Sequence, residues 1–263
     1  MKTSNVKQRL AKNEPSFVTT LHLSDPLVYE MASSLAVEGI WLDMEHRPFN
    51  LETTQRLMTA ARAGGNSDVI VRTSRHEFSL VTRVLECGAQ GVIYPRCNDA
   101  EEARQVVRAA KFAPVGVRGC DGWGRDAPFG QMPLEEYIRA ANENTLVVIQ
   151  IETPEALENA KSIAAVDGVD VLMFGPGDFS VLSGVPGQMR NAKVVDASRR
   201  VCEAALSKGK HFSQPVGNME TAEELIAMGG RLLFHDADVL MINRCIRTNL
   251  DNIAGLLKKL GYK

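Results

Sequence analysis

The sequence predicts a single (β/α)8 barrel, a TIM barrel. Three observations lead there. Short apolar runs alternate with amphipathic segments along the whole chain, and repeated strand-then-helix patterning implies a parallel sheet. Eight such runs can be read, which suggests that the sheet closes; an open doubly wound sheet is the alternative. The length of 263 residues matches the roughly 250 typical of this barrel.

The strand runs fall at 16–21, 38–43, 69–73, 91–95, 147–151, 170–174, 210–214 and 231–235. Most lack strict alternation, as expected of parallel strands buried on both faces. Helical patterning lies between them. Segment 51–63 carries Leu51, Leu57, Met58 and Ala61; segment 101–110 carries Ala103, Val106, Val107 and Ala110; segment 192–207 carries Val194, Val195, Val201, Ala204 and Ala205. Asn98-Asp99 before Glu101-Glu102 reads as an N-cap with acids in the first turn. Thr153-Pro154-Glu155 puts proline at a first helical position. Only the stretch 112–132 breaks the rhythm. It contains Arg118-Gly119-Cys120-Asp121-Gly122-Trp123-Gly124-Arg125, and a long glycine-rich loop inside a compact domain reads as a lid or binding loop.

Composition narrows the function classes. A net charge of −2 with scattered Lys and Arg argues against a nucleic-acid or membrane-surface partner. No stretch approaches the roughly 20 apolar residues of a membrane span, and the polar start Met1 to Lys7 has no apolar signal-peptide core. Cys87, Cys97, Cys120, Cys202 and Cys245 are odd in number and form no C-x-x-C. Reduced thiols and a cytoplasmic location fit better than disulfides or zinc.

Barrel chemistry sits at the C-terminal ends of strands, so the residues closing the predicted strands are the candidates. Glu152 follows the run 147–151 and Asp178 follows 170–174, one β/α unit apart. Two carboxylates at one rim can hold a hard cation that keeps positions open for water or substrate. An oxygen-only set favours Mg²⁺ or Mn²⁺ over zinc, and Co²⁺ also fits. The plainer reading is a pair of helix-capping acids. His46 lies three residues after Asp43, which can hold an imidazole in one tautomer as a general base; a surface-loop histidine is the alternative. Glu45 points the other way in this pattern and reads as structural. His211 and His235 lie within strand runs and read as core histidines.

Arg72 closes its strand, where a guanidinium can grip a carboxylate or stabilise an enolate, or pair with an acid such as Glu86. Gln150 shares the inward direction of Glu152 and suits a metal-bound water. Gly177, in Gly175-Pro176-Gly177-Asp178, lets the backbone approach an anionic group. No lysine closes a strand run, which disfavours an imine-forming aldolase. The acids and the base point instead to a metal-dependent carbon–carbon lyase.

With those residues in place, the chain resembles the HpcH/HpaI family of class II pyruvate aldolases, whose members include 4-hydroxy-2-oxo-heptane-1,7-dioate aldolase and 2-dehydro-3-deoxyglucarate aldolase. The resemblance runs from about residue 15 to 250. It is carried by Asp43-Met44-Glu45-His46, Val71-Arg72, Gly88-Ala89-Gln90-Gly91, Tyr94-Pro95, Gly116-Val117-Arg118-Gly119, Gln150-Ile151-Glu152-Thr153 and Phe174-Gly175-Pro176-Gly177-Asp178. It implies a phosphoenolpyruvate/pyruvate-type barrel, often a homohexamer, with a C-terminal helix over about 239–260 swapped between subunits. It implies metal acids at Glu152 and Asp178, a base pair at Asp43 and His46, a pyruvate-binding arginine at Arg72 and an assisting Gln150. The implied reaction is reversible cleavage of a 4-hydroxy-2-oxo acid into pyruvate and an aldehyde.

Two departures stand out. Glu86 occupies the place of an acid, often aspartate, near the family's histidine. The loop from Cys120 to Phe129 matches no particular member. In the irregular loop from Arg118 to Phe129, Arg118, Trp123 and Arg125 are expected to set aldehyde preference, with Arg125 pairing an acidic aldehyde; packing of the loop or of a subunit contact is the alternative. An acyl-CoA lyase of the same superfamily and a non-catalytic barrel that binds 2-oxo acids are the rival readings.

Overall fold

All eight strand runs are strands, each within two residues of the expected ends. The structure is a computed structural model that describes residues 2–262. The strands are β1 (Ser16–Leu21), β2 (Gly39–Asp43), β3 (Asp68–Arg72), β4 (Gly91–Tyr94), β5 (Leu146–Ile151), β6 (Val171–Phe174), β7 (His211–Val216) and β8 (Gly230–Ala237). They pair in parallel and in sequence order, and β8 closes on β1. The open doubly wound alternative is thereby excluded.

The period of two along each strand divides the core into two layers. Trp41, Ile70, Ile93, Val148, Val171 and Met173 fill the barrel interior. Their neighbours Leu42, Val71, Val92, Val147, Ile149 and Leu172 face the helices. The same alternation sets the direction of the polar strand ends. Asp43 lies two residues after Trp41, Arg72 two after Ile70, and Gln150 and Glu152 two and four after Val148. All four therefore point along the axis.

The floor of the barrel is closed by a helix that hydrophobic periodicity did not reveal, Asn5–Ala11. Its Val6 and Leu10 complete the interior cluster. Buried Asp68 accepts hydrogen bonds from Ser4 Oγ (2.6 Å) and the Val6 N–H (2.9 Å), and an ion pair with Lys2 Nζ (3.1 Å). That carboxylate fastens the N-terminal helix to the first residue of β3.

The irregular stretch does not lie over the rim. Residues 86–88 precede β4 and so sit at the N-terminal end of the barrel, and the loop packs against them. A Cβ on Gly88 would meet Arg125 Cδ at 2.9 Å, and one on Gly124 would meet the Glu86 carbonyl at 3.3 Å. Trp123, Arg125 and Phe129 flank a depression shared with Arg83, Glu86 and Cys87. Arg118 is buried rather than presented, its Nη2 donating to Asp126 Oδ2 at 2.6 Å. Tyr137 Oη donates to the same oxygen at 2.5 Å, and the Arg118 guanidinium lies 4.8 Å from the Phe112 ring centroid. Arg118, Trp123 and Arg125 therefore do not cover the mouth of their own barrel. Loop irregularity marks a segment outside the β/α repeat, but not which end of the barrel it packs on.

Asp126→Ala should destabilise the fold by about 3–5 kcal/mol, because it leaves the Arg118 charge buried and unpaired. A lower urea midpoint with an unchanged slope would record this loss; an unshifted midpoint would mean that the pair holds nothing.

The last helix, Asp238–Lys259, leaves the barrel instead of packing back on it. Only Asp238 is buried. Val239, Ile242, Ile246, Leu250, Ile253, Leu256, Leu257 and Leu260 are all exposed, as are Leu27, Met31 and Leu35 on and after the helix Pro26–Ser34. Two contacts tie the helix to the rim: the Asp238 carboxylate accepts the His22 N–H at 3.0 Å and the Leu23 N–H at 2.9 Å, and Arg244 pairs with Asp236 at the end of β8. No helix among the described residues is long and apolar enough to cross a membrane.

Candidate active site

Asp43 and Arg72 are register partners at the ends of β2 and β3. Arg72 Nε donates to Asp43 Oδ1 at 2.9 Å and Arg72 Nη2 to Asp43 Oδ2 at 2.7 Å, the bidentate fork that suits a guanidinium. Arg72 Nη1 lies 3.2 Å from Glu45 Oε2, and the guanidinium sits 4.7 Å from the Trp41 ring centroid. Burial works to lower the Arg72 pKa, but its bonds and charge contact with Asp43 raise it overall. Burial likewise works to raise the Asp43 carboxyl, and Arg72 more than offsets this and holds it low. The pair is thus fully charged.

This geometry corrects two expectations. Asp43 does not hold the His46 imidazole: it braces Arg72 and accepts the backbone N–H groups of Glu45 (3.1 Å) and His46 (3.4 Å). Glu45 does not point away. Its Oε2 lies between Arg72 and His46, 3.6 Å from His46 Nε2, and burial pushes its carboxyl up. The turn after Asp43 breaks strand alternation, which is why the period-of-two reading misdirected Glu45. His46 itself is exposed, at 57 % of its side chain. Arg72 pairs with Asp43 and Glu45, and Glu86 lies at the opposite end of its β/α unit.

The second half of the site hangs from β5. Glu152 is buried; its Oε1 accepts the Arg96 N–H at 2.9 Å and its Oε2 accepts Gln150 Nε2 at 2.5 Å. Gln150 Oε1 is buried without a hydrogen-bond partner. Burial first, then Asp178 and Glu45, push the Glu152 carboxyl up to about 8. Gly175 makes room for this pair, since a Cβ there would collide with the Glu152 carboxylate and Gln150 Nε2. Asp178 lies in the first turn of the helix Pro176–Leu182, is exposed, and makes no capping bond. The capping alternative therefore fails for Asp178. A Cβ on Gly177 would meet nothing within 4 Å, so that turn faces open space.

A divalent cation suits this donor set. Glu152 lies near the like charges of Asp178 and Glu45, and a buried amide oxygen lacks a partner. Among the described residues no group of three or more His, Cys, Asp or Glu could by itself hold a metal. Glu152 and Asp178 would hold the ion, with water and substrate oxygens completing its shell. Cys97 is no thiolate nucleophile, since burial pushes its thiol to about 12. No strand contains lysine. His211 and His235 are half-buried, outside this cluster. His22 ends β1 with its Nδ1 buried and unpartnered, near enough to Asp43 and Arg72 to feel both charges.

Charged groups gathered at the open ends of parallel strands place the chain among the barrel lyases of small oxo acids. It belongs to the HpcH/HpaI aldolase/citrate lyase family, whose model matches residues 18–236. It is 30% identical over 244 residues to the hydroxypyruvate/pyruvate aldolase of Delftia acidovorans, covering 93% of this chain and 90% of that one. Identity to the 4-hydroxy-2-oxovalerate aldolase of Novosphingobium aromaticivorans is 32% over 206 residues, 78% and 76% of the two chains. The crystal structure of an HpcH/HpaI aldolase/citrate lyase family protein from Burkholderia cenocepacia J2315 superposes with a TM-score of 0.88 at 30% identity. That match covers 96% of this chain and all of the other.

Proposed function

We propose that this chain is a divalent-metal-dependent aldolase that reversibly cleaves a 4-hydroxy-2-oxo acid into pyruvate and an aldehyde. The observation that carries this reading is the juxtaposition at one rim of a braced arginine and a buried Gln150–Glu152 pair with Asp178 beside it. The names of its relatives support the same chemistry. Mg²⁺ or Mn²⁺, or Co²⁺, is the cation this oxygen set favours. Bound by Glu152 and Asp178, it would act as a Lewis acid toward the 2-oxo and carboxylate oxygens of the substrate.

The chain's own residues do the rest. Two of the five Arg72 N–H donors are spent on Asp43, and Nη1 lies beside Glu45 without a hydrogen bond, leaving donors for the substrate oxygen on which negative charge develops. His46 takes the C4 hydroxyl proton as the C3–C4 bond breaks and its electron pair passes into the pyruvate enolate; that proton, or one exchanged for it with solvent at this exposed ring, is then delivered to C3 to give pyruvate. Glu45, not Asp43, is the acid beside the imidazole, 3.6 Å from its Nε2. Gln150 and the turn at Gly177 position the pyruvate end.

The swapped position of the helix Asp238–Lys259, and with it a homohexamer, is part of this proposal. An apolar stripe that leaves its own barrel, beside an uncovered helix Pro26–Ser34, supports subunit exchange. Five unpaired cysteines support a reducing, cytoplasmic setting. Release of pyruvate from a panel of 4-hydroxy-2-oxo acids tests the whole reading. Activity should vanish in EDTA and return with Mg²⁺, Mn²⁺ or Co²⁺. Full activity in chelator, or substrate trapped on the protein by borohydride, would overturn it. Cleavage of acyl-CoA substrates alone would favour the lyase alternative.

A further inference from the structure

Arg96 follows β4 directly and has an unusual backbone. Its φ is +50°, a left-handed conformation that costs a non-glycine residue energy and tends to mark functional positions. The strain has a visible purpose: it aims the Arg96 N–H at Glu152 Oε1, 2.9 Å away. The side chain is exposed, and its guanidinium makes no hydrogen bond or ion pair with the described residues. Arg75, on the neighbouring loop, contrasts with it, since its Nε donates to Glu102 Oε1 at 2.8 Å. Arg96 is therefore one peptide away from the carboxylate at the heart of the site, and its charge is uncommitted.

The surrounding rim carries one further exposed arginine, Arg47. β2, β3 and β4 are neighbours. The loop after β2 carries exposed His46 and Arg47, the loop after β3 carries exposed His76, and the loop after β4 carries Arg96. Glu77 and Asp99 are the exposed acids on this arc; Asp99 is engaged in capping the helix Ala100–Ala110 through the Glu102 N–H. Glu45 and Glu152 lie deeper, Asp178 lies in the helix after β6, and exposed Glu155, after β5, accepts from Asn98 Nδ2 at 2.8 Å.

We propose that Arg96 is the specificity-determining residue for the aldehyde half of the substrate, and that it binds an anionic group, a carboxylate, at the far end of that half. The inference rests on the aldolase reading above. The pyruvate half is served by Arg72, Gln150 and the turn at Gly177, so a second cation outside that set has no role in holding pyruvate. Arg96 lies at the open end of the barrel, its backbone on Glu152 and its side chain exposed, and a guanidinium binds a carboxylate with paired N–H donors. This assigns to Arg96 the part that sequence reasoning gave to Arg125, which lies at the other end of the barrel.

The test is aldol addition of pyruvate to succinic semialdehyde and to its uncharged counterpart, butanal, with the metal-loaded full-length protein. In the wild type kcat/KM should favour the acidic aldehyde. Arg96→Gln should lower the ratio of the two kcat/KM values about 10- to 100-fold, mainly through KM for the acid, and Arg96→Lys should restore much of it. Oxalate affinity, which reads the pyruvate half alone, separates selectivity from damage to Glu152. An unchanged ratio in Arg96→Gln, or equal losses with both aldehydes, would overturn the proposal while leaving the aldolase reading intact. Failure of the wild type to join pyruvate to either aldehyde would instead overturn the aldolase reading, and this inference with it.

Discussion

Glu152→Gln should abolish turnover and metal binding together while leaving the barrel folded. The amide keeps the size of the carboxylate but removes its negative charge, and its NH₂ group would face donors at Arg96 and Gln150 that now find acceptor oxygens. Asp178 alone is exposed and would hold a cation weakly. The expected loss in kcat/KM exceeds the about 10²–10³ assigned to a single electrostatic contact, because two functions fail at once. Isothermal titration with Mn²⁺ and circular dichroism on the same sample separate the outcomes. A folded variant that binds Mn²⁺ like the wild type would remove Glu152 from the metal site.

Arg72→Ala should lower kcat by at least about 10²–10³ without loss of metal binding. The effect reaches beyond one missing contact, since buried Asp43 and half-buried Glu45 would lose the cation they face. Arg72→Lys should recover little, because a point charge cannot reproduce the fork that engages Asp43. Exchange of the pyruvate methyl protons with deuterated solvent gives a readout that needs no aldehyde, and it should fall in parallel. Wild-type exchange in Arg72→Ala would show that enolate charge is stabilised elsewhere.

The barrel was legible because most strands are apolar on both faces and bounded by turn residues. Continuous runs such as Val69-Ile70-Val71 have few other readings. Inward direction at Arg72, Gln150 and Glu152 followed from the period of two and needed no tertiary information. Legibility ended where that period ended. Glu45 lies in the turn after β2, so its direction depends on dihedral angles rather than parity. Asp43 was matched to His46 by sequence proximity, yet its partner Arg72 is 29 residues away and becomes adjacent only through strand register. The helix Asn5–Ala11 is short, and the burial of its two apolar residues depends on a floor that only the closed barrel supplies. Arg96 left no trace in composition or periodicity, since its importance comes from a backbone angle and an N–H direction.

Asp238 gives the projecting helix a mechanical meaning. The helix is a lever about 33 Å long, at 1.5 Å per residue, fastened near its base by the Arg244–Asp236 ion pair and by the Asp238 carboxylate. That carboxylate grips the peptide groups of His22 and Leu23, where β1 ends beside Arg72. Any load on the distal turns, from a neighbouring subunit or an appended tag, is therefore delivered to the strand end that borders the chemistry. The C-terminus is remote from the reacting centre in distance and close to it in leverage.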